Sequence, residues 1–132
     1  MKMVSILCAA VALLAVAPAP QAASTLLGKW ASSFEWEGEQ VHIQYEFRTV
    51  QGKLLCYSVQ LADANGDALQ DNTLVMTNIE FANGSGTATF TIKDEGETYE
   101  ADATLKLTNS NTLQVDYSYY WYSDSETWKR IQ

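Results

Sequence analysis

The chain has 132 residues, with 16 acidic and eight basic side chains, a formal charge of −8, 47% apolar content and 18% charge. That composition suits one small globular domain and excludes a disordered tail or a collagen-like fibre. Neutralising a nucleic-acid backbone needs a basic stripe, and the chain has none, so nucleic acid is not expected as a partner.

Residues 1–23 begin with Lys2, continue through a largely apolar stretch from Val4 to Val16, and end in Ala17-Pro18-Ala19-Pro20-Gln21-Ala22-Ala23. This is the layout of a secretory signal peptide cleaved near Ala23, and it implies a periplasmic or secreted protein. The apolar run is about a dozen residues against the ~20 that a bilayer span needs, so no membrane span is expected in the mature chain. A lipid anchor on Cys8 is disfavoured, because Ser5-Ile6-Leu7 lacks the small residue expected beside such a cysteine. The expected mature domain is 24–132. Without Lys2 it carries seven basic against 16 acidic side chains, a charge of −9. Cys56 is then the single cysteine, so no internal disulfide forms and the core must carry stability.

Apolar and polar residues alternate at period two along most of the mature chain, the pattern of half-buried strands. Strands are expected at 28–36, 39–49, 53–62, 73–81, 87–93, 98–107, 112–122 and 126–131. A two-residue turn at Glu37-Gly38 sets Phe34 opposite Val41 and Trp30 opposite Tyr45. A three-residue loop, Val50-Gln51-Gly52 with Gly52 left-handed, is expected to pair Phe47 with Leu55, Tyr45 with Tyr57 and Ile43 with Val59. A two-residue turn there would instead face Phe47 with Cys56. Across residues 63–72, Asn65-Gly66 turns the chain but leaves Leu69 and Gln70 out of phase, which a bulge at Asp71-Asn72 repairs.

Asn83-Gly84 is a favoured type I′ pair and is expected to place Ile79 opposite Ala88 and Val75 opposite Ile92. Glu95-Gly96 pairs Ile92 with Tyr99 and Phe90 with Ala101. A loop Asn109-Ser110-Asn111, with Asn111 left-handed, pairs Leu107 with Leu113 and Leu105 with Val115. Eight sequential strands with short turns and no covering helix favour an all-β, eight-stranded antiparallel up-and-down barrel, because closure removes unpaired edges. A two-sheet sandwich is the structural rival. Eight strands enclose an interior just filled by side chains or holding one small ligand.

Gly28-Lys29-Trp30, at the start of the first strand, resembles the Gly-x-Trp signature of the lipocalins and the wider calycin superfamily. The resemblance implies that Trp30 closes one end of the barrel and packs against a basic residue of the final strand, here Arg130 in Trp128-Lys129-Arg130. A guanidinium over an indole face is worth about 1 kcal/mol or more when desolvated. The chain is shorter than typical lipocalins and lacks their disulfides and trailing helix. In size and export it is similar to small bacterial calycin-like proteins, including periplasmic inhibitors of proteases and lysozymes.

By this register Trp30, Ser32, Phe34, Trp36, Tyr45, Tyr57, Thr77, Tyr99, Tyr117 and Tyr119 face inward, with Ala88, Ala101 and Ala103 between them. Two explanations fit: a pocket with apolar walls and orienting tyrosine hydroxyls, or a filled core. The expected ligand-binding residues at the barrel mouth are Trp36, Tyr45, Tyr57, Tyr99, Tyr119 and Trp121, taking a small apolar or aromatic molecule. The run Tyr117-Ser118-Tyr119-Tyr120-Trp121-Tyr122 puts aromatics on both faces, which suits a partner or sugar-stacking surface as well as it suits sheet stabilisation. The charge of −9 favours a cationic protein, such as a basic hydrolase, as the alternative partner.

Asp63-Ala64-Asn65-Gly66-Asp67 followed by Asp71 resembles the opening of a calcium loop. It has Ala68 in place of the motif's glycine and Leu74 in place of its closing glutamate, so an acidic hairpin turn is expected instead. His42 has no second histidine, so no zinc set can be assembled. Cys56 is expected as a free semi-buried thiol rather than a nucleophile paired with His42. Glu100 and Asp102 fall on the outer face. No catalytic constellation, cofactor or metal site is expected.

Overall fold

The computed structural model describes residues 25–36, 38–63, 65–94 and 96–131, with the side chains of Phe34, Trp36 and Asp94 outside that description. The expected signal peptide, residues 1–23, also lies outside it. Eight strands follow in order: β1 Gly28–Trp36, β2 Glu39–Val50, β3 Lys53–Ala62, β4 Ala68–Ala82, β5 Ser85–Asp94, β6 Glu97–Asn109, β7 Thr112–Tyr119 and β8 Tyr122–Ile131. Each pairs antiparallel with the next, and β1 pairs with β8 to close the barrel. The expected all-β, eight-stranded up-and-down barrel is the observed architecture.

Where the turn residues were decisive, the register is as expected. Phe34 faces Val41 and Trp30 faces Tyr45; Ile92 faces Tyr99 and Phe90 faces Ala101; Leu107 faces Leu113 and Leu105 faces Val115. The Asp71-Asn72 bulge is also present, since Gln60 pairs with Gln70 while Ser58 pairs with Thr73. The strand it belongs to starts at Ala68, five residues before the expected 73.

Four hairpins differ from expectation. At β2–β3 the chain makes the two-residue turn, with Gln51 at φ 51° and Gly52 at φ 79°, and Val50 faces Lys53. Phe47 therefore does face Cys56, and both are buried. The irregularity lies inside the strand: Gln44 pairs with Gln60 but Tyr45 with Ser58, leaving Val59 as the extra residue. Small Cys56 and Ser58 thus point inward, and Tyr57 points outward beneath Arg48, whose guanidinium carbon is 4.3 Å from the ring centroid.

At β4–β5 the Asn83-Gly84 turn holds, but the ladder slips between Thr77 and Glu80, where Asn78 has φ 52°. Met76 is brought inside and fully buried, while Thr77 turns outward, against expectation. Gly86 is required beside this bulge, because a Cβ there would lie 1.9 Å from the Glu80 carbonyl oxygen. Between β6 and β7 the expected pairs form, yet Asn111 is not left-handed; the irregularity sits between Leu107 and Asn109.

The last turn is Tyr120-Trp121, not residues 123–125, and Tyr119 faces Tyr122. Neither turn residue is glycine or asparagine, so the local signal for it is missing.

The barrel axis is filled through its middle. Tyr45 lies flat on Trp128, with centroids 3.9 Å apart and an interplanar angle of 4°. Phe47, Met76, Phe90, Leu105, Leu113 and Val115 pack around them, and Ala88, Ala101 and Ala103 give room for the large rings. Up-and-down connectivity places the β1–β2, β3–β4, β5–β6 and β7–β8 turns at one end, the rim. The other turns, with the start of β1 and the end of β8, form the second end.

Candidate functional site

The second end is plugged. Trp30 is wholly buried and its indole N–H donates to the Leu26 carbonyl at 2.9 Å. Arg130 lies 4.3 Å over its ring and donates to the carbonyls of Ser110, Leu27 and Thr25 at 3.1, 3.0 and 2.6 Å. Gly28 has φ +115°, a backbone conformation that glycine adopts readily and other residues rarely do, so the turn into β1 suits glycine conformationally. The structure brings the expected closing pair, Trp30 and Arg130, into direct contact.

The rim is open and aromatic. Trp121 is 94% exposed and Tyr120 81%, with their rings 6.0 Å apart and nearly parallel at 24°. Tyr120 has φ +53°, a conformation ordinarily given to glycine or asparagine and strained for a bulky side chain. Its ring meets Tyr119 edge-on at 4.5 Å, and Tyr119 in turn packs 5.0 Å from Tyr99. The Tyr99 hydroxyl donates to Glu97. Half-buried Ile43 and Ile92 pack against the core just below this end.

Of the six expected ligand-binding residues, Tyr99, Tyr119 and Trp121 are brought together at the rim. Tyr45 is taken up in the filled core against Trp128, and Tyr57 stands on the outer wall. The Trp36 side chain lies outside the described residues. Tyr120 belongs with the three that meet, and its place in the aromatic run was the available sign.

Below the rim, half-buried Glu126 accepts three hydrogen bonds: from Ser32 Oγ at 3.0 Å and Trp128 Nε1 at 2.9 Å on one oxygen, and from the Tyr117 hydroxyl at 2.9 Å on the other. One carboxylate thereby satisfies three donors, each of which would cost about 1–3 kcal/mol if buried unpaired. Among the described residues no buried side-chain polar atom lacks a partner. Burial, and then the Glu126 charge, push the Tyr45 and Tyr117 hydroxyls well above the ordinary phenol range. Glu126 was legible in principle, since it sits two residues before Trp128 on the same face of β8.

Other singled-out residues have local roles. Asp63 Oδ1 accepts from the backbone N–H groups of Asn65 and Asp67, both at 3.0 Å, and shapes the β3–β4 turn. The Asp71 carboxylate is partly desolvated, yet hydrogen bonds from Ser58, Thr73 and the Asn72 amide hold it below the usual range. Among the described residues no group of three or more His, Cys, Asp or Glu could hold a metal ion. Cys56 points inward with its thiol pushed up by burial, while exposed His42 meets Ser33 Oγ at 2.7 Å on the outside. The two are thus on opposite faces of the wall, and Cys56 is fully rather than partly buried.

Charge is divided between the ends. Glu39, Asp63, Asp67, Glu97 and Asp124 cluster at the rim with Lys93 as a lone counterweight among the described side chains there. Lys29, Lys53, Lys106, Lys129 and Arg130 stand toward the plugged end. No protein-family model, curated protein or solved structure matches the chain.

Proposed function

We propose that the chain is an exported, calycin-like binding protein without catalytic role, which docks a cationic protein on its aromatic rim. The observation that carries this proposal is the pair Tyr120 and Trp121, held bare on a strained turn at the acidic end. Tyr and Trp dominate the binding energy of interfaces, because they bury much area for little rotamer entropy. Large aromatics exposed side by side mark an interaction surface. The acidic residues around them steer a cationic partner toward this end. A basic hydrolase such as a lysozyme or protease fits that chemistry.

Binding to an immobilised cationic lysozyme tests the proposal. Trp121→Ala should weaken the complex at least about tenfold, and added salt should weaken it further. No complex at low ionic strength would refute the lysozyme partner, and an unchanged affinity in the variant would refute the rim as its docking site.

A small apolar or aromatic ligand at the mouth is the second reading, favoured by the Tyr99–Tyr119 pair above half-buried Ile43 and Ile92. Native mass spectrometry of protein from its own host should then show a co-purifying molecule, and a bare mass would count against it.

A further inference from the structure

The outer face of β4 to β8 is hollowed into an open groove of about 820 Å³, whose lining reaches Ser118 and Ser123, one pair below Tyr119 and Tyr122. The β4 bulge shapes one side. Asn78, left-handed at φ 52°, donates through Nδ2 to Thr89 Oγ1 at 3.3 Å, and Glu80 follows it along the groove edge. Bulges recur beside binding sites because they re-aim a strand and its side chains. Gly86 completes the shape by letting β5 pass against the Glu80 backbone.

Four carboxylates line this groove, from Glu80, Asp102, Asp116 and Asp124, and no lysine or arginine does. Among the described residues the ion pair present is Arg48 with Glu46, on another part of the wall. Asp116 is kept ionised by hydrogen bonds from Ser125 and Gln114, which lower its carboxyl from the usual range. Between Glu80 and Asp116 the floor is low, because Thr87 and Thr104 occupy the same cross-strand row.

We propose that the groove docks an extended basic segment of a partner protein, with alternate lysine or arginine side chains meeting Glu80, Asp102 and Asp116. Glu80 and Asp116 are three strand intervals apart, which is about 14 Å at ~4.8 Å each. Side chains on one face of an extended peptide recur every ~6.8 Å, so residues i and i+4 span the same length. The charge complementarity is one-sided: the groove supplies the anions and the occupant supplies the cations. The proposal shares its cationic partner with the rim reading but uses none of the rim aromatics.

Fluorescence anisotropy with two labelled peptides tests it on the purified chain. One alternates lysine with threonine, and the other carries glutamate in place of each lysine. The lysine peptide should bind at low salt and the glutamate peptide should not. Asp102→Asn combined with Asp116→Asn should weaken the lysine peptide at least about tenfold, while Trp121→Ala should leave it within about twofold. Both carboxylates are exposed, so the double variant should still unfold cooperatively with only the small loss that the Asp116 hydrogen bonds represent, and a melt recorded beside the binding curve separates lost binding from lost fold.

Absence of lysine-peptide binding, or equal binding by the double variant, would overturn the proposal. So would tighter binding of an uncharged oligosaccharide competing for the same groove. Failure of the rim reading shows elsewhere, as lysozyme binding that ignores Trp121→Ala.

Discussion

At the plugged end Trp30 is buried completely, its indole N–H is bonded and Arg130 covers its face; at the rim Trp121 is 94% exposed on a turn whose first residue holds φ +53°. Both ends are built from the same alternating strands and the same hairpin connections. The difference lies in what each has next to it. The plugged end receives Leu26 and a guanidinium that bonds three backbone carbonyls, so Trp30 is paired on its edge and its face with chain from the same molecule. The rim has aromatic surface, local strain and a surplus of carboxylates, features that do not stabilise a monomer and that suit a partner.

The largest effect should separate these regions by stability. Trp128→Ala or Trp30→Ala should cost about 3–5 kcal/mol in urea unfolding, as expected for emptying a large aromatic site in a packed core. Trp121→Ala should stay within about 0.5 kcal/mol of wild type. Comparable losses at both ends would break the contrast.

Arg130 sharpens it. Arg130→Ala should cost about 2 kcal/mol, by removing the cation–π contact and three hydrogen bonds to carbonyls. Arg130→Lys should recover less than half of that, because a single ammonium cannot reach three carbonyls and cover the indole together.

Alkaline pH should attack the core before the rim. Burial raises the Cys56 thiol, and burial followed by the Glu126 charge raises the Tyr45 hydroxyl. Each folded pKa lies above its unfolded value, so this stability is full below the unfolded pKa and is lost as pH rises toward the folded one. Unfolding free energy should therefore start to fall above about pH 8.5 for Cys56 and further above about pH 10 for Tyr45, each by up to ~1.4 kcal/mol per pH unit. Cys56→Ala should abolish the first of these two phases, which denaturation midpoints across pH would reveal. On the acid side, the lowered carboxyls of Asp71 and Asp116 favour the fold above about pH 3.9 and stop doing so as pH falls through their folded values.

The smallest stability effect should come from Tyr120→Gly. Relief of the left-handed backbone and loss of the edge contact with Tyr119 oppose each other, so stability should stay within about 0.5 kcal/mol. Partner binding should nevertheless drop. A variant that unfolds easily would place Tyr120 in the structural class with Trp30.

Much of the barrel was legible because glycine and asparagine mark most of its turns, and because a slip of one residue would turn an apolar face outward. That logic recovered the β1–β2, β5–β6 and β6–β7 pairings and the Asp71-Asn72 bulge. It failed where an extra residue hides inside a strand, at Val59 and at Asn78-Ile79, because what fits the interior decides those positions. Cys56 looked like an intruder on the apolar face, yet its small side chain leaves room for the Tyr45–Trp128 stack.

The rim was half legible for the same reason. Tyr99, Tyr119 and Trp121 could be placed from alternation near the end of strands, whereas Tyr57 faces outward because the Gln51-Gly52 turn has two residues rather than three, and Tyr45 was claimed by Trp128. The Tyr120-Trp121 turn carries no turn-forming residue, so only tertiary closure of β7 on β8 identifies it. The groove was illegible, since it needs five strands in register.

The most direct test is a map of backbone amide shifts as a cationic lysozyme is titrated into the isotope-labelled protein at low salt. The two-ended picture predicts perturbations at Tyr99, Tyr119, Tyr120 and Trp121 and along Asp102 and Asp116, with Trp30 and Arg130 unmoved. Shifts centred on the plugged end, or none anywhere, would contradict it.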